Sequence, residues 1–140
     1  MSRTGLWDSH AHLDSDYFTD DRDELIAKIG EEMEGFINPG CDEASSAFAV
    51  QLAEKYDFVY AAVGWHPEEL AGIKDGHYLD KLAAWAVHPK VAAIGEIGLD
   101  YYWKENEPKE VQKKRLLEQI DLAVQFDLPV IIHDLSLIHI

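Results

Sequence analysis

An alternation of short apolar runs with longer segments of helical periodicity constrains the fold of this chain more than any other feature. Five runs predict strands, at 5–9, 35–37, 58–63, 91–94 and 128–132. Four segments between them carry apolar residues at helical spacing, at 22–34, 42–56, 77–87 and 108–126. The strand-like runs are continuously apolar, which is typical of strands buried on both faces. The alternation therefore predicts an α/β fold with a parallel sheet and helices outside it.

The segment at 108–126 is the clearest predicted helix. Pro108 suits its first turn, because a missing N–H costs nothing there. The residues expected to pack on the sheet are Val111, Leu116, Ile120, Ala123 and Val124. No linker, repeat or low-complexity segment divides the 140 residues, so we expect a single domain.

Composition and charge exclude several classes of function. The formal net charge of −15 argues against a protein that binds nucleic acid through a broad basic surface, although an enzyme can still meet phosphate through bound metal ions. No apolar run approaches the roughly 20 residues needed to cross a bilayer, and the N-terminus lacks the apolar core of a signal peptide. A single cysteine, Cys41, excludes an internal disulfide. We therefore expect a cytoplasmic protein without a membrane partner.

Polar residues recur where the predicted strands end. They are His10 and His12 after the first strand, Asn38 after the second, His66 after the third, Glu96 after the fourth and His133 after the fifth. The carboxyl ends of parallel strands carry the ligand site in α/β architectures, because the loops that follow the strands converge there. These side chains are therefore expected to lie close together.

The residue types among them favour a metal site. His10 and His12 are two positions apart, so a strand ending there would point both imidazoles in one direction. Glu96 lies between glycines and apolar residues, where a carboxylate is rarely buried unless it is paired or bound to a metal. His133 follows an apolar run directly. The alternatives are two histidines in a polar loop, a Glu paired with a lysine, and a His bound to a loop carbonyl.

Three further features allow more than one interpretation. His66 precedes a proline, and it can contact an anionic group of a substrate or simply hold its loop. Asp100 can orient a metal ligand or bind substrate. The aromatic run Tyr101–Trp103 can stack on a nucleobase or pack beneath a loop.

Four motifs follow one another in order along residues 5–134. They are DSHAHLD at 8–14, GWHP at 64–67, GEIGLDY at 95–101 and PVIIH at 129–133. Together they resemble the TatD family, which contains metal-dependent deoxyribonucleases of the amidohydrolase-like superfamily. The resemblance implies a (β/α)8 TIM-type barrel, a DNA or other phosphodiester substrate, and two divalent metal ions at the barrel mouth. It also implies that His10 and His12 hold one metal, that Glu96 bridges both, and that His133 holds the second. The metal can be Mg²⁺, Mn²⁺ or Zn²⁺.

The length departs from this pattern, since such a barrel takes about 250 residues. Only five strands are predicted here, and the family's later His and Asp ligands have no counterpart. We expect residues 1–134 to be the N-terminal part of a TatD-like barrel. Residues 135–140, which resemble the translated end of a sequencing-library transposon, are expected to be a non-native tail. We expect the isolated fragment to be poorly soluble and inactive.

Two other functions compete with phosphodiester hydrolysis. An amidohydrolase that cleaves a C–N bond has the same His-x-His pair, but many such enzymes bridge their metals with a carboxylated lysine from the fourth strand. That strand offers Glu96 instead, and Lys90 lies at its opposite end. A non-catalytic metal-binding domain is the third possibility. The negative net charge fits these two alternatives better than it fits a nuclease.

Overall fold

Residues 5–135 are described by the computed structural model, and they form five parallel strands with helices between them. The strands are β1 (Trp7–Asp8), β2 (Gly35–Pro39), β3 (Val59–Val63), β4 (Val91–Asp100) and β5 (Val130–Leu135). The α-helices are α1 (Arg22–Glu32), α2 (Glu43–Lys55), α3 (His77–Ala86) and α4 (Lys109–Gln125), and short 3-10 helices span Asp16–Phe18 and Pro67–Gly72. The strands pair in chain order and curl into a half-barrel, which confirms the predicted fold class.

Helix α2 begins at a capping box that lies directly after β2, at the carboxyl end of the sheet. Asp42 caps it: its side chain accepts a hydrogen bond from the Ser45 N–H (2.8 Å), and the Ser45 hydroxyl accepts one from the Asp42 N–H (3.0 Å). This capping box satisfies two backbone donors that the helix itself leaves unpaired. The buried face beyond it, which includes Val50 and Leu52, packs on β3. The turn after β2 is therefore held firmly at the carboxyl end of the sheet.

The apolar core lies between the sheet and the helices. Its fully buried members include Phe36 and Ile94 from strands and Ile26 and Leu82 from helices. The expectation that strands are buried on both faces holds for β2 and β3 but is wrong for β1, where Trp7 is 56% exposed, and for β5, where Ile132 is 51% exposed. The reason is that β1 and β5 are the edge strands among residues 5–135, each paired with one neighbour.

Helix α4 differs from the prediction in which face it buries. Val124, expected in the apolar stripe, is 75% exposed, whereas Gln112 and Gln119 are each 1% exposed. The inward face of α4 meets the turns that follow β3 and β4, and the backbone groups of those turns need hydrogen-bond partners. Two buried glutamines therefore lie on a helix face for which the periodicity predicts apolar side chains.

Strands β4 and β5 continue further than the apolar runs predict, so Glu96 and His133 lie within paired strands rather than after them. Gly98 pairs with His133, and a Cβ at position 98 would lie 1.8 Å from the His133 carbonyl oxygen. Only glycine permits this approach. Of the predicted tail, Leu135 ends β5, and residues 136–140 lie outside the described residues. No helix within residues 5–135 has the length and apolar character needed to cross a membrane.

Candidate metal centre

Glu96 lies at the centre of four imidazole rings at the carboxyl end of the sheet. One carboxylate oxygen, Oε2, is 3.3 Å from Nε2 of His10 and 3.4 Å from Nε2 of His12. The other, Oε1, is 3.2 Å from Nδ1 of His133 and 3.8 Å from Nε2 of His66. The structure thus brings together the four predicted metal ligands and His66, although they come from four different strands or the loops that follow them.

The donor atoms around Glu96 form two groups that share its carboxylate. The first contains His10, His12 and Glu96, and the second contains His66, Glu96 and His133; within each group the ligand atoms lie within 4.8 Å of one another. In the first group the two Nε2 atoms are only 3.0 Å apart. Convergent imidazole nitrogens and a carboxylate oxygen are the donors that Zn²⁺ and similar ions prefer, so these residues fit a metal.

The loop after β1, which carries both histidines of the first group, is held from two sides. Asn38 is fully buried, and its Oδ1 accepts hydrogen bonds from the N–H groups of Leu13 (2.7 Å) and Asp14 (3.2 Å). The Arg22 guanidinium donates to the carbonyls of Leu13 (2.6 Å) and Ser15 (3.0 Å). Donors and acceptors of the loop are thereby both satisfied, which keeps the His10–His12 pair pointed at Glu96.

Two outer carboxylates lie behind the rings of His12 and His133. An oxygen of Asp14 is 3.5 Å from Nδ1 of His12, and Oδ2 of Asp100 is 3.1 Å from Nε2 of His133. Each ring therefore lies between Glu96 and an aspartate. A carboxylate behind a metal-binding imidazole fixes its tautomer and raises its basicity.

The burial of Asp100 bears on the two roles that the sequence left open. Its side chain is 0% exposed, and its other oxygen, Oδ1, accepts a hydrogen bond from the Tyr102 N–H (3.0 Å). Both oxygens are thus engaged by His133 and Tyr102. This arrangement favours the role of orienting a ligand over direct contact with substrate.

The charges in the centre follow from these contacts. Hydrogen bonds to Asp14 and then to Glu96 raise the pKa of His12 to about 9, so without a metal it carries a proton at neutral pH. Burial alone would raise the pKa of Glu96, but the hydrogen bond from His12 and the charges of neighbouring histidines outweigh it and lower the pKa to about 2. Glu96 is therefore ionised and available as a ligand.

His66 differs from the other rings in its protonation. Burial, followed by the positive charge of His133, lowers its pKa to about 4, so the ring is neutral. Its Nδ1 accepts a hydrogen bond from the Glu68 N–H (3.1 Å), as the cap of the short helix Pro67–Gly72. The remaining proton is then on Nε2, which faces Glu96 and the centre of the site. His66 is arranged as a neutral hydrogen-bond donor.

Two buried glutamines on α4, which the sequence did not predict, support the site. Oε1 of Gln119 accepts from the Trp65 N–H (2.8 Å) and its Nε2 donates to the Trp65 carbonyl (3.2 Å), which fixes the residue before His66. Gln112 makes the same pair of contacts with the backbone of Asp100, at 2.8 and 3.0 Å. Their signal in the sequence is two amides seven positions apart, which lie on one face of a helix.

Comparison with known proteins shows to which family the chain is similar. A sequence model of the family described as "TatD related DNase" matches residues 7–137. The uncharacterized metal-dependent hydrolase YabD of Bacillus subtilis is 40% identical over 132 residues, which cover 92% of this chain and 50% of YabD. The 3'-5' ssDNA/RNA exonuclease TatD of Salmonella typhimurium is 29% identical over 129 residues, which cover 91% of this chain and 49% of that protein.

A solved structure shows the same fold. The crystal structure of YjjV, a TatD homolog from Escherichia coli K12, superposes with a TM-score of 0.84 at 33% identity, covering 94% of this chain and 51% of YjjV. The chain thus spans about half the length of the relatives it matches. From the family match over most of its length and the shared half-barrel, we conclude that the chain belongs to the TatD related DNase family.

Proposed function

We propose that this chain supplies the N-terminal part of a binuclear metal centre in an enzyme that hydrolyses phosphodiester bonds of nucleic acid. The position of Glu96 carries the proposal: its two oxygens face two separate groups of imidazoles. In this assignment His10 and His12 hold one metal, Glu96 bridges, and His133 holds the second. Two bound divalent metals would supply an activated water and neutralise charge on the phosphodiester oxygens.

The donor atoms bear on which metal is bound. Three of the four proposed ligands are imidazoles, which suit Zn²⁺ or Mn²⁺, whereas Mg²⁺ prefers oxygen. His12 has to lose its proton before its nitrogen can bind a metal. We therefore propose Zn²⁺ or Mn²⁺ ahead of Mg²⁺.

His66 is proposed to bind the substrate rather than a metal. Its Nδ1 is occupied by a backbone N–H, and its neutral ring directs Nε2 towards the centre. From there the Nε2–H can donate a hydrogen bond to a non-bridging phosphate oxygen. Because the net charge of the chain is −15, we propose that nucleic acid is held mainly by the metals and by such local contacts.

Cleavage of a C–N bond, as in an amidohydrolase, is disfavoured by the place of the lysine. Lys90 Nζ donates to the carbonyls of Asp57 (2.7 Å) and Tyr56 (3.3 Å), beside the start of β3. It lies at the opposite end of β4 from the metal donors. In the proposed assignment Glu96 takes the bridging position instead.

The test uses protein expressed from its complete reading frame, stripped of metal and reloaded with Zn²⁺, Mn²⁺ or Mg²⁺. Substrates are single-stranded DNA, single-stranded RNA, double-stranded DNA and a cyclic amide. We expect cleavage of an oligonucleotide that requires added metal and is lost in Glu96→Gln, together with loss of bound metal. The same substitution at the exposed Glu31 is the matched control and should change neither. Hydrolysis of the cyclic amide alone, or full nuclease activity in Glu96→Gln, would overturn the proposal.

A further inference from the structure

Two large aromatic side chains beside the metal centre are exposed. Tyr102 is 62% and Trp103 47% exposed, and their ring centroids lie 4.7 Å apart at an interplanar angle of 84°. The preceding Tyr101 differs, because it is partly buried and its ring lies beneath Lys109 Nζ at 4.6 Å. Of the two interpretations of this aromatic run, packing within the fold therefore describes Tyr101, which lies against the first residue of α4, but not the other two.

Hydrogen bonds connect the exposed pair to the metal centre. The Asp100 carboxylate accepts from the Tyr102 N–H through Oδ1 (3.0 Å) and contacts the His133 ring through Oδ2 (3.1 Å). Asn106 closes the loop: its N–H donates to the Trp103 carbonyl (3.3 Å) and its side chain donates to the Asp100 carbonyl (3.2 Å). The aromatic pair is thus held close to a proposed metal ligand, on a loop that needs little ordering upon binding.

The local charge also differs from that of the whole chain. Segment 101–115 holds five lysine or arginine residues against three glutamates, whereas the chain carries −15. Lys104, which directly follows Trp103, forms no ion pair with any residue in the described range 5–135. This is a region where an anionic polymer can approach an otherwise repulsive surface.

We propose that Tyr102 and Trp103 form a stacking subsite for a nucleobase of a single-stranded nucleic acid. The inference rests on the proposed function and adds a contact with a nucleobase outside the metal centre. Stacking requires a base whose face is exposed, which a duplex does not offer, and it tolerates any base because every base has a π-face. It also provides affinity that does not depend on positive charge, which suits so acidic a protein.

Binding without cleavage tests the subsite directly. Protein loaded with Zn²⁺ is titrated into a labelled, cleavage-resistant phosphorothioate oligothymidylate and into the same strand with abasic sites, and fluorescence anisotropy is recorded. We expect Trp103→Leu to weaken binding of the oligothymidylate about 5- to 150-fold, the range for loss of one stacked base. The abasic strand should bind weakly to both proteins, with little difference between them. Trp103→Phe, which keeps an aromatic face, should restore most of the affinity.

The outcomes separate this inference from the proposed function. Equal losses on both strands, or no loss on either, would overturn the stacking subsite even if the enzyme cleaves DNA. Base-dependent binding without any metal-dependent cleavage would support the subsite and count against the nuclease. Unchanged zinc affinity in Trp103→Leu confirms that the metal centre remains folded.

Discussion

Replacement of Asp100 by asparagine tests how the metal centre is held in place. The carboxylate accepts two hydrogen bonds, from the Tyr102 N–H at 3.0 Å and from the His133 Nε2–H at 3.1 Å. An amide has one acceptor oxygen and one donor nitrogen, so Asp100→Asn can satisfy only one of these two donors. If its NH₂ group faces His133, the ring proton moves to Nδ1, the nitrogen that faces Glu96, and the metal-binding lone pair is lost.

The opposite orientation of the amide also weakens the site. His133 would then keep its tautomer but lose the charge-assisted hydrogen bond that raises its basicity. Loss of such an outer partner typically costs about 10- to 100-fold in metal affinity, or roughly 1.4–2.7 kcal/mol. We therefore expect Asp100→Asn to weaken binding of the more weakly held zinc ion by this factor.

Competition with a chromophoric zinc chelator measures the effect, and circular dichroism checks that the fold is retained. Asp121→Asn, the same change at an exposed position on α4, is the matched control and should bind zinc like the wild type. Asp14→Asn should have a smaller effect than Asp100→Asn, because the Asp14 oxygen lies 3.5 Å from the His12 ring. Zinc affinity within twofold of wild type in Asp100→Asn would refute the orienting role.

Two further predictions concern protonation and the support from α4. Because hydrogen bonds to Asp14 and Glu96 raise the pKa of His12 from 6.5 to about 9, its contribution to the stability of the metal-free fold is present below pH 6.5 and lost as the pH rises through about 9. Zinc binding at pH 7.5 should accordingly release a proton, which calorimetry in buffers of different ionisation enthalpy detects; no buffer dependence would contradict this. Gln119→Leu leaves the backbone N–H and carbonyl of Trp65 unpaired and should lower the free energy of unfolding by about 1–3 kcal/mol in urea titrations. An unchanged free energy of unfolding in Gln119→Leu would show that water replaces the side-chain amide of Gln119.

Secondary structure could be predicted where the helical periodicity or the apolar run of a segment coincides with its buried residues. The bounds of α2 and α3 match their helical periodicity within one or two residues, and the apolar run at 58–63 became β3. Strands β4 and β5 extended beyond their apolar runs, because their pairing continues through Gly98 and His133 to Leu135. Pairing of this kind depends on a neighbouring strand, which hydropathy along one segment does not record.

The proposed metal ligands could be predicted more readily than the residues that hold the surrounding backbone in place. His10, His12, Glu96 and His133 could be selected because they follow predicted strands and stand in motifs that resemble the TatD family. Gln112 and Gln119 could not, since a polar residue within a helical segment ordinarily indicates an exposed face. Their partners are the backbone groups of Trp65 and Asp100, and hydrogen bonds to backbone leave no matching side chain in the sequence.

The order of strands and helices, and the residue types at the strand ends, could be derived from the sequence. Both follow from local periodicity and from the convergence of parallel strands at one edge of a sheet. The folded chain was needed to show that the two oxygens of Glu96 face two different groups of rings, that Asp100 lies buried behind His133, and that Tyr102 and Trp103 are exposed. Those properties depend on distances of a few ångströms between residues as far apart in the chain as His10 and Glu96. Such distances are set by strand register and helix packing, which no single segment of the chain contains.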